Sequence, residues 1–138
     1  MLVKLAAILA SAATFGGMLF FAAVVAPLVF AKLPTPTAAQ FIRQIFPVYY
    51  VTMAGATALA AACATAIAPA DALVLAMVSV GFLFARVVML PRLDVAREKA
   101  RAGDKIAERQ FRHGHRASTL LNAVQLIAVG AALIRLVV

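Results

Sequence analysis

The chain has 138 residues, enough for one domain. It is 65% hydrophobic and only 13% charged, with a mean hydropathy of +1.02, whereas a soluble globule is about 45–50% apolar. Thirteen Lys and Arg against five acids give a net charge of +8, which in a soluble protein would point to nucleic acid. Here the bases flank and interrupt long apolar blocks, the pattern of membrane topology, and no nucleic-acid motif is present.

Between Lys4 and Lys32 no residue is charged. A helix crosses a bilayer core of about 30 Å with roughly 20 residues, so this block supplies a first span over about 5–31. Its apolar run is too long for a cleaved signal peptide and is read as an uncleaved helix. Pro27 falls where it would kink or stop that helix. Residues 32–37 then form a stiff linker with turn chemistry. Thr37 is positioned to cap a short interfacial helix ending at Arg43.

Pro47 suits the first turn of a second span over 47–68, with Tyr49 and Tyr50 at an interfacial aromatic level. That span is rich in Ala, which lets helices approach closely in lipid and places it near the bundle centre. Gly16, Gly17, Gly55, Gly81 and Gly130 suit the same purpose. Pro69-Ala70-Asp71 reads as the next turn, with Asp71 as N-cap of a third span over 72–91 that Pro91 ends. Arg86 lies five residues before Pro91, about 7–8 Å by helix rise, so it either snorkels to the interface or holds an anion or lipid.

Residues 92–112 lack proline and carry a helical charge pattern. Glu98 lies at i+3 from Arg101 and Glu108 at i+4 from Arg112. Leu93, Ala96, Ala100, Gly103, Ala107 and Gln110 make a stripe of three-four rhythm. The expectation is a basic amphipathic segment between spans three and four, lying on a surface or extending span three, with its bases against anionic lipid. A fourth span, 117–137, carries Arg135, which snorkels at the opposite face.

Together these predict an all-α, single-domain, four-helix transmembrane bundle over residues 1–138. Eleven bases, including Arg86, fall at the end holding the first and third loops, against Lys4 and Arg135 at the other. The positive-inside rule puts both basic loops in the cytoplasm and both termini outside.

Few side chains carry chemistry. His113 and His115 stand at the entrance to span four, but i and i+2 on a helix point about 200° apart, so one metal or haem does not easily take both. They are structural groups, separate ligands or proton carriers. Ser118, Asn122 and Gln125 fall on one stripe of span four and face the interior, as interhelical glue or as a polar path joined by Thr52, Thr57 and Thr65. Cys63 has no partner for an internal disulfide. No nucleophile–base pair, carboxylate pair, phosphate loop or metal-ligand spacing occurs, so neither an enzyme nor a cofactor is expected.

Two stretches carry a resemblance. One is Pro27-Leu28-Val29-Phe30-Ala31-Lys32-Leu33, followed by Ile45-Phe46-Pro47-Val48-Tyr49-Tyr50. The other is Phe111-Arg112-His113-Gly114-His115, followed by Ser118 and Leu121-Asn122. With Pro91-Arg92-Leu93-Asp94 between them, where Asp94 replaces the usual amide, the chain resembles the small integral-membrane family named after transmembrane protein 205. The resemblance implies four spans in a compact bundle and no established catalytic residue; one animal member is linked to resistance to platinum drugs. It puts weight on Pro27, Phe30, Phe46, Pro47, Tyr49, His115, Ser118 and Asn122 as a shared structural or ligand-facing set. The chain length suggests a bacterial protein of the inner membrane.

Two functional readings follow. One is a non-enzymatic structural or accessory component whose basic loop docks on lipid or a protein partner. The other is a small homo-oligomeric transporter or resistance factor with a polar route through Ser118, Asn122 and Gln125.

Overall fold

The computed structural model describes residues 1–138 as four long antiparallel helices: α1 (Leu2–Lys32), α2 (Thr35–Ala64), α3 (Pro69–Arg101) and α4 (Lys105–Val137). Each is long and apolar enough to cross a membrane. At about 1.5 Å per residue they run roughly 45–50 Å, well beyond a 30 Å hydrocarbon core. The protein is a small integral membrane four-helix bundle.

Each helix packs on two others around the square, α1 on α2, α2 on α3, α3 on α4 and α4 on α1. No helix of the square is central, but α2, expected near the bundle centre, packs on its neighbours, like α3, more extensively than α1 and α4 do. The interior is a seam of mostly small residues spaced alternately three and four apart. It runs Ala7-Ser11-Thr14-Met18 in α1, Tyr50-Ala54-Thr57-Ala61-Ala64 in α2, Asp71-Leu75-Val78-Phe82-Ala85 in α3 and Gln125-Val129-Ala132-Leu136 in α4. This 3.5-residue spacing is that of left-handed bundle packing. Outside the seam, Leu9, Leu28, Leu59, Leu73, Val80, Val87, Leu120 and Ile127 are exposed, an outer face whose solvent is lipid.

Close approach depends on three of the five glycines anticipated for it. A Cβ on Gly17 would meet Met53 at 3.0 Å, one on Gly81 the Gln125 amide at 2.7 Å, and one on Gly130 the Phe15 ring at 3.0 Å. Gly16 and Gly55 have open space.

The prolines behave differently from expectation. Pro47 lies inside one continuous α2 and does not open a second helix after an interfacial one. Thr37 caps nothing, since α2 begins at Thr35 behind Pro34 with no side-chain cap. Nor does Pro91 end the third helix, which continues to Arg101.

Two π-helical turns explain how α1 and α3 pass their prolines. One covers Phe21–Val25 just before Pro27, the other Ala85–Met89 just before Pro91. In each, the residue preceding the proline donates five residues back, Ala26 N–H to Phe21 O and Leu90 N–H to Ala85 O. A proline in an α-helix lacks an N–H donor and its ring collides with the carbonyl four residues back; widening the preceding turn relieves the collision. The helix continues because nothing outside it offers the backbone a better partner.

No separate basic helix lies between spans three and four. The segment 92–112 is divided at Ala102–Asp104 into the end of α3 and the start of α4, which pack as a helical hairpin. Gly103, with φ +96, closes α3 in a Schellman turn, its N–H to Ala100 O and that of Asp104 to Lys99 O. Asp104 Oδ1 then caps α4, accepting from Ile106 N at 2.8 Å and Ala107 N at 3.1 Å. The short charged turn stops one helix and starts the next, so the three-four stripe is consumed inside the hairpin.

At the opposite end the turn between α2 and α3 is Thr65–Ala68, and α3 starts behind Ala68 as N-cap. Asp71 is therefore a first-turn residue and not the cap. It is 7% exposed and accepts from both Nε and Nη2 of Arg135 at 2.6 Å. Arg135, expected to snorkel alone, ties α4 to the start of α3.

Candidate functional site: an arginine-topped cavity

Near the α1–α2 and α3–α4 loops the square divides into two hairpins. The last turns of α1 pack on α2, and the charged end of α3 packs on α4. Side chains bridge the space between these pairs. Arg43 of α2 reaches α3, its Nε 2.9 Å from Asp94 Oδ1 and its Nη2 3.4 Å from Glu98 Oε1. Glu98 is thus turned toward Arg43, not the Arg101 expected from helix spacing. The Glu108–Arg112 pair forms as expected at 3.7 Å.

Beneath this bridge lies a cavity of about 330 Å³ to which all four helices contribute. Phe30, Phe46, Leu93 and Phe111 provide apolar walls, and Tyr50, Ser118 and Asn122 provide polar atoms. Directly against it is a second recess of about 340 Å³, lined by Pro36, Gln40, Arg43, Arg97 and Arg101 with no hydrophobic side chain. Arg43 and Arg97 belong to both linings. A more open groove of about 690 Å³ along the α3–α4 hairpin includes Phe84 and Val95, both exposed, and belongs to the outer surface.

The electrostatics of the two recesses are uneven. Arg43 is occupied by two carboxylates, whereas Arg97 and Arg101 meet none within salt-bridge distance. Arg97 is partly buried and its guanidinium lies 5.0 Å from the centre of the Phe111 ring, a cation–π contact. Below the cavity an aromatic cluster closes the interior. Phe21 stacks on Tyr49 at 4.7 Å and Phe46 on Tyr50 at 5.4 Å, and Phe82 meets both tyrosines edge-on or tilted. Tyr49 and Tyr50 therefore point into the bundle, away from the headgroup belt expected for them.

The remaining predicted residues divide between the cavity and other surroundings. His115 lies on its rim and stacks with Phe111 at 6.0 Å; His113 is exposed. No three His, Cys, Asp or Glu side chains come together. The stripe on α4 is not one polar path. Ser118 donates to His115 O at 2.9 Å and Asn122 to Ser118 O at 3.1 Å, both within α4. Gln125 crosses to Val78 O of α3 at 3.1 Å. Thr57 and Thr65 also bond to their own helix, at Met53 O and Ala62 O, and Thr52 is exposed. Arg86 has no ion pair, and its Nε is buried without a partner.

Of the residues weighted by resemblance, Phe30, Phe46, His115, Ser118 and Asn122 line the cavity, whereas Pro27, Pro47 and Tyr49 do not. Sequence reading missed Arg43, Arg97 and Arg101 as a group, because they lie on two helices 54 or more positions apart. It also missed Ser79, which donates to Ala54 O of α2 at 2.8 Å. Only the position of Arg43, one turn before Phe46-Pro47, hinted that this base faces inward.

No curated protein and no solved structure matches the chain. The profile of one family, described as a domain of unknown function, DUF4149, matches residues 9–102, which takes in most of α1, all of α2 and α3, and the turn residue Ala102. On that match, covering about two-thirds of its length, the chain belongs to the DUF4149 family of membrane domains.

Proposed function

We propose that this protein is a non-enzymatic accessory component of a bacterial inner membrane, related to the transmembrane protein 205 group. Its basic α3–α4 hairpin lies in the cytoplasm, against anionic headgroups and within reach of a protein partner. The observation that carries the reading is the hairpin itself. Eight bases and four acids lie between Arg92 and Arg116, on helices that extend past the apolar spans. Bases next to a membrane are attracted to anionic lipid by about 1 kcal/mol each, and their excess at one end favours a cytoplasmic location for that end.

The transporter reading has less support. The hydroxyls and amide proposed for a polar route are mostly bonded to their own helices. The terminal half of the interior is filled by Ala7, Ala60, Ala64, Leu75 and Val129, all 0% exposed.

Single cysteines in a Cys63→Ser background test the orientation. Ile67→Cys is expected to react with an impermeant maleimide on intact spheroplasts, and Ala102→Cys only in inverted vesicles. The opposite pattern would overturn it. Replacing Lys99, Lys105 and Arg112 by Gln is expected to lower the phosphatidylglycerol fraction of the co-purified lipid; an unchanged fraction would remove the headgroup contact from the reading.

A further inference from the structure

We infer that the two adjoining recesses form one site for a single-chain amphiphile with a phosphate head. The head sits among Arg97, Arg101 and Gln40, and the chain lies between Phe30, Phe46, Leu93 and Phe111. The inference is independent of the orientation proposed above and concerns the gap between α2 and α3, where Gln40 and Arg101 are exposed and Arg97 is partly buried, not the outer face of the hairpin.

Three observations carry it. First, polarity changes abruptly across Arg43 and Arg97, from a recess with no hydrophobic lining residue to one walled by aromatic and aliphatic side chains. A ligand filling both must be polar at one end and apolar at the other. Second, Arg97 and Arg101 lack carboxylate partners while Asp94 and Glu98 are held by Arg43. Arg97 is partly buried and Arg101 exposed, and neither has a carboxylate in ion-pair contact; such guanidinium groups keep donors free for an incoming anion, and their fork of donors matches phosphate oxygens. Third, the cavity has a lateral mouth. Phe30 of α1 is 50% exposed, His115 and Thr119 of α4 are exposed, and all three line the cavity. An amphiphile can therefore enter from the surrounding lipid without crossing the bundle.

Volume limits the occupant. At about 30 Å³ per water-sized group, the apolar recess of about 330 Å³ holds about eleven such groups. That is room for the first part of one acyl chain, the rest of an oleoyl chain leaving through the lateral mouth, and not for two chains.

The test is equilibrium binding to the detergent-purified full chain, read by native mass spectrometry, with 1-oleoyl lysophosphatidate, oleate and inorganic phosphate as separate probes. One lysophosphatidate per chain is expected, bound at least tenfold more tightly than either other probe. Arg97→Gln and Arg101→Gln are each expected to weaken it by about 10–100-fold, the range of a charge-assisted hydrogen bond. Ala39→Phe, which fills the apolar recess from α2, is expected to abolish retention of the chain. Lys32→Gln removes the same charge at the same end but off the cavity, and is expected to leave binding unchanged. Equal affinity for inorganic phosphate would overturn the amphiphile, and equal affinity for oleate the phosphate head. A loss with Lys32→Gln as large as with Arg97→Gln would reduce the site to surface attraction. Two arginine variants on separate helical turns, both checked for helicity and monodispersity, keep the result interpretable if one fails to fold.

Discussion

Gly81 and Gln125 illustrate how tightly single positions are set in the interior. The Gln125 amide crosses to the Val78 carbonyl directly over Gly81, where a Cβ would sit 2.7 Å from Nε2. Gly81→Ala therefore drives the amide off its acceptor inside a seam that offers no other. The expected loss is about 1–3 kcal/mol, the range for a buried polar group left unpartnered, seen as a lower midpoint of thermal unfolding in detergent. Adding Gln125→Ala is expected to recover part of it, because the collision and the orphaned amide vanish together. Gly55→Ala meets nothing within 4 Å and is expected to be neutral or slightly stabilising through helix propensity. A result in which Gly55→Ala and Gly81→Ala behave alike would contradict this packing. At this scale the sequence was only partly readable. That small residues line the seam follows from composition, but which glycines are contacts depends on the opposing side chain. Ser118 and Asn122 are interior groups whose donors take a carbonyl one turn back in the same helix, while Asn122 Oδ1 stays buried without a partner.

Among the elements, the turn between α3 and α4 combines a left-handed glycine with an aspartate cap. Gly103→Ala forces a Cβ into φ +96, a cost of about 1–2 kcal/mol, and Asp104→Ala removes an N-cap worth about 1 kcal/mol. Both are expected to raise amide exchange across residues 99–108, with Asp104→Ala acting chiefly at Ile106 and Ala107, whose N–H groups it caps. Exchange that rises equally across all four helices would assign the effect to global stability. This turn was missed because the charged stretch has helix-forming composition on both sides and only Gly103 marks the break. The prolines misled in the opposite sense. Pro27 and Pro91 carry the stop signal of a soluble helix and Pro47 the start signal, but π-helical turns take up the first two and Pro47 lies within unbroken α2. Charge-free runs located the apolar part of each span because hydrocarbon tolerates so little charge. They could not show how far a helix continues once it leaves the hydrocarbon.

For the molecule as a whole, the two ends are held by different means. At the terminal end a buried carboxylate, Asp71, is gripped by Arg135 at 2.6 Å over a small-residue interior. At the loop end Arg43, itself less exposed than Arg135, spans the gap to Asp94 and Glu98, whose carboxylates are more exposed than that of Asp71. Removing Arg135 leaves the buried Asp71 carboxylate uncompensated, whereas the carboxylates that Arg43 would leave behind reach solvent, where an ion pair is worth about 0–1 kcal/mol. Arg135→Ala is therefore expected to lower the unfolding midpoint clearly. Arg43→Ala is expected to change it little but to widen the distance distribution between spin labels at Thr37 and Ala102. An equal loss of stability from both would mean that the two ends are not distinct.

The π-helical turns bear on more than the prolines they precede. One residue added to a helical turn advances everything after it by about 100°, so α1 and α3 each carry a phase slip partway along. The seam that runs Ala7-Ser11-Thr14-Met18 resumes at Ala26, one position later than its own rhythm, with Phe30 a turn beyond it, and in α3 the slip brings Leu93 and Arg97 to the cavity. Each rod therefore has two keys cut along it, one for the closed half of the bundle and one for the chamber. Deleting a single residue from either slip would keep every side chain of the chamber and turn the chamber's wall outward.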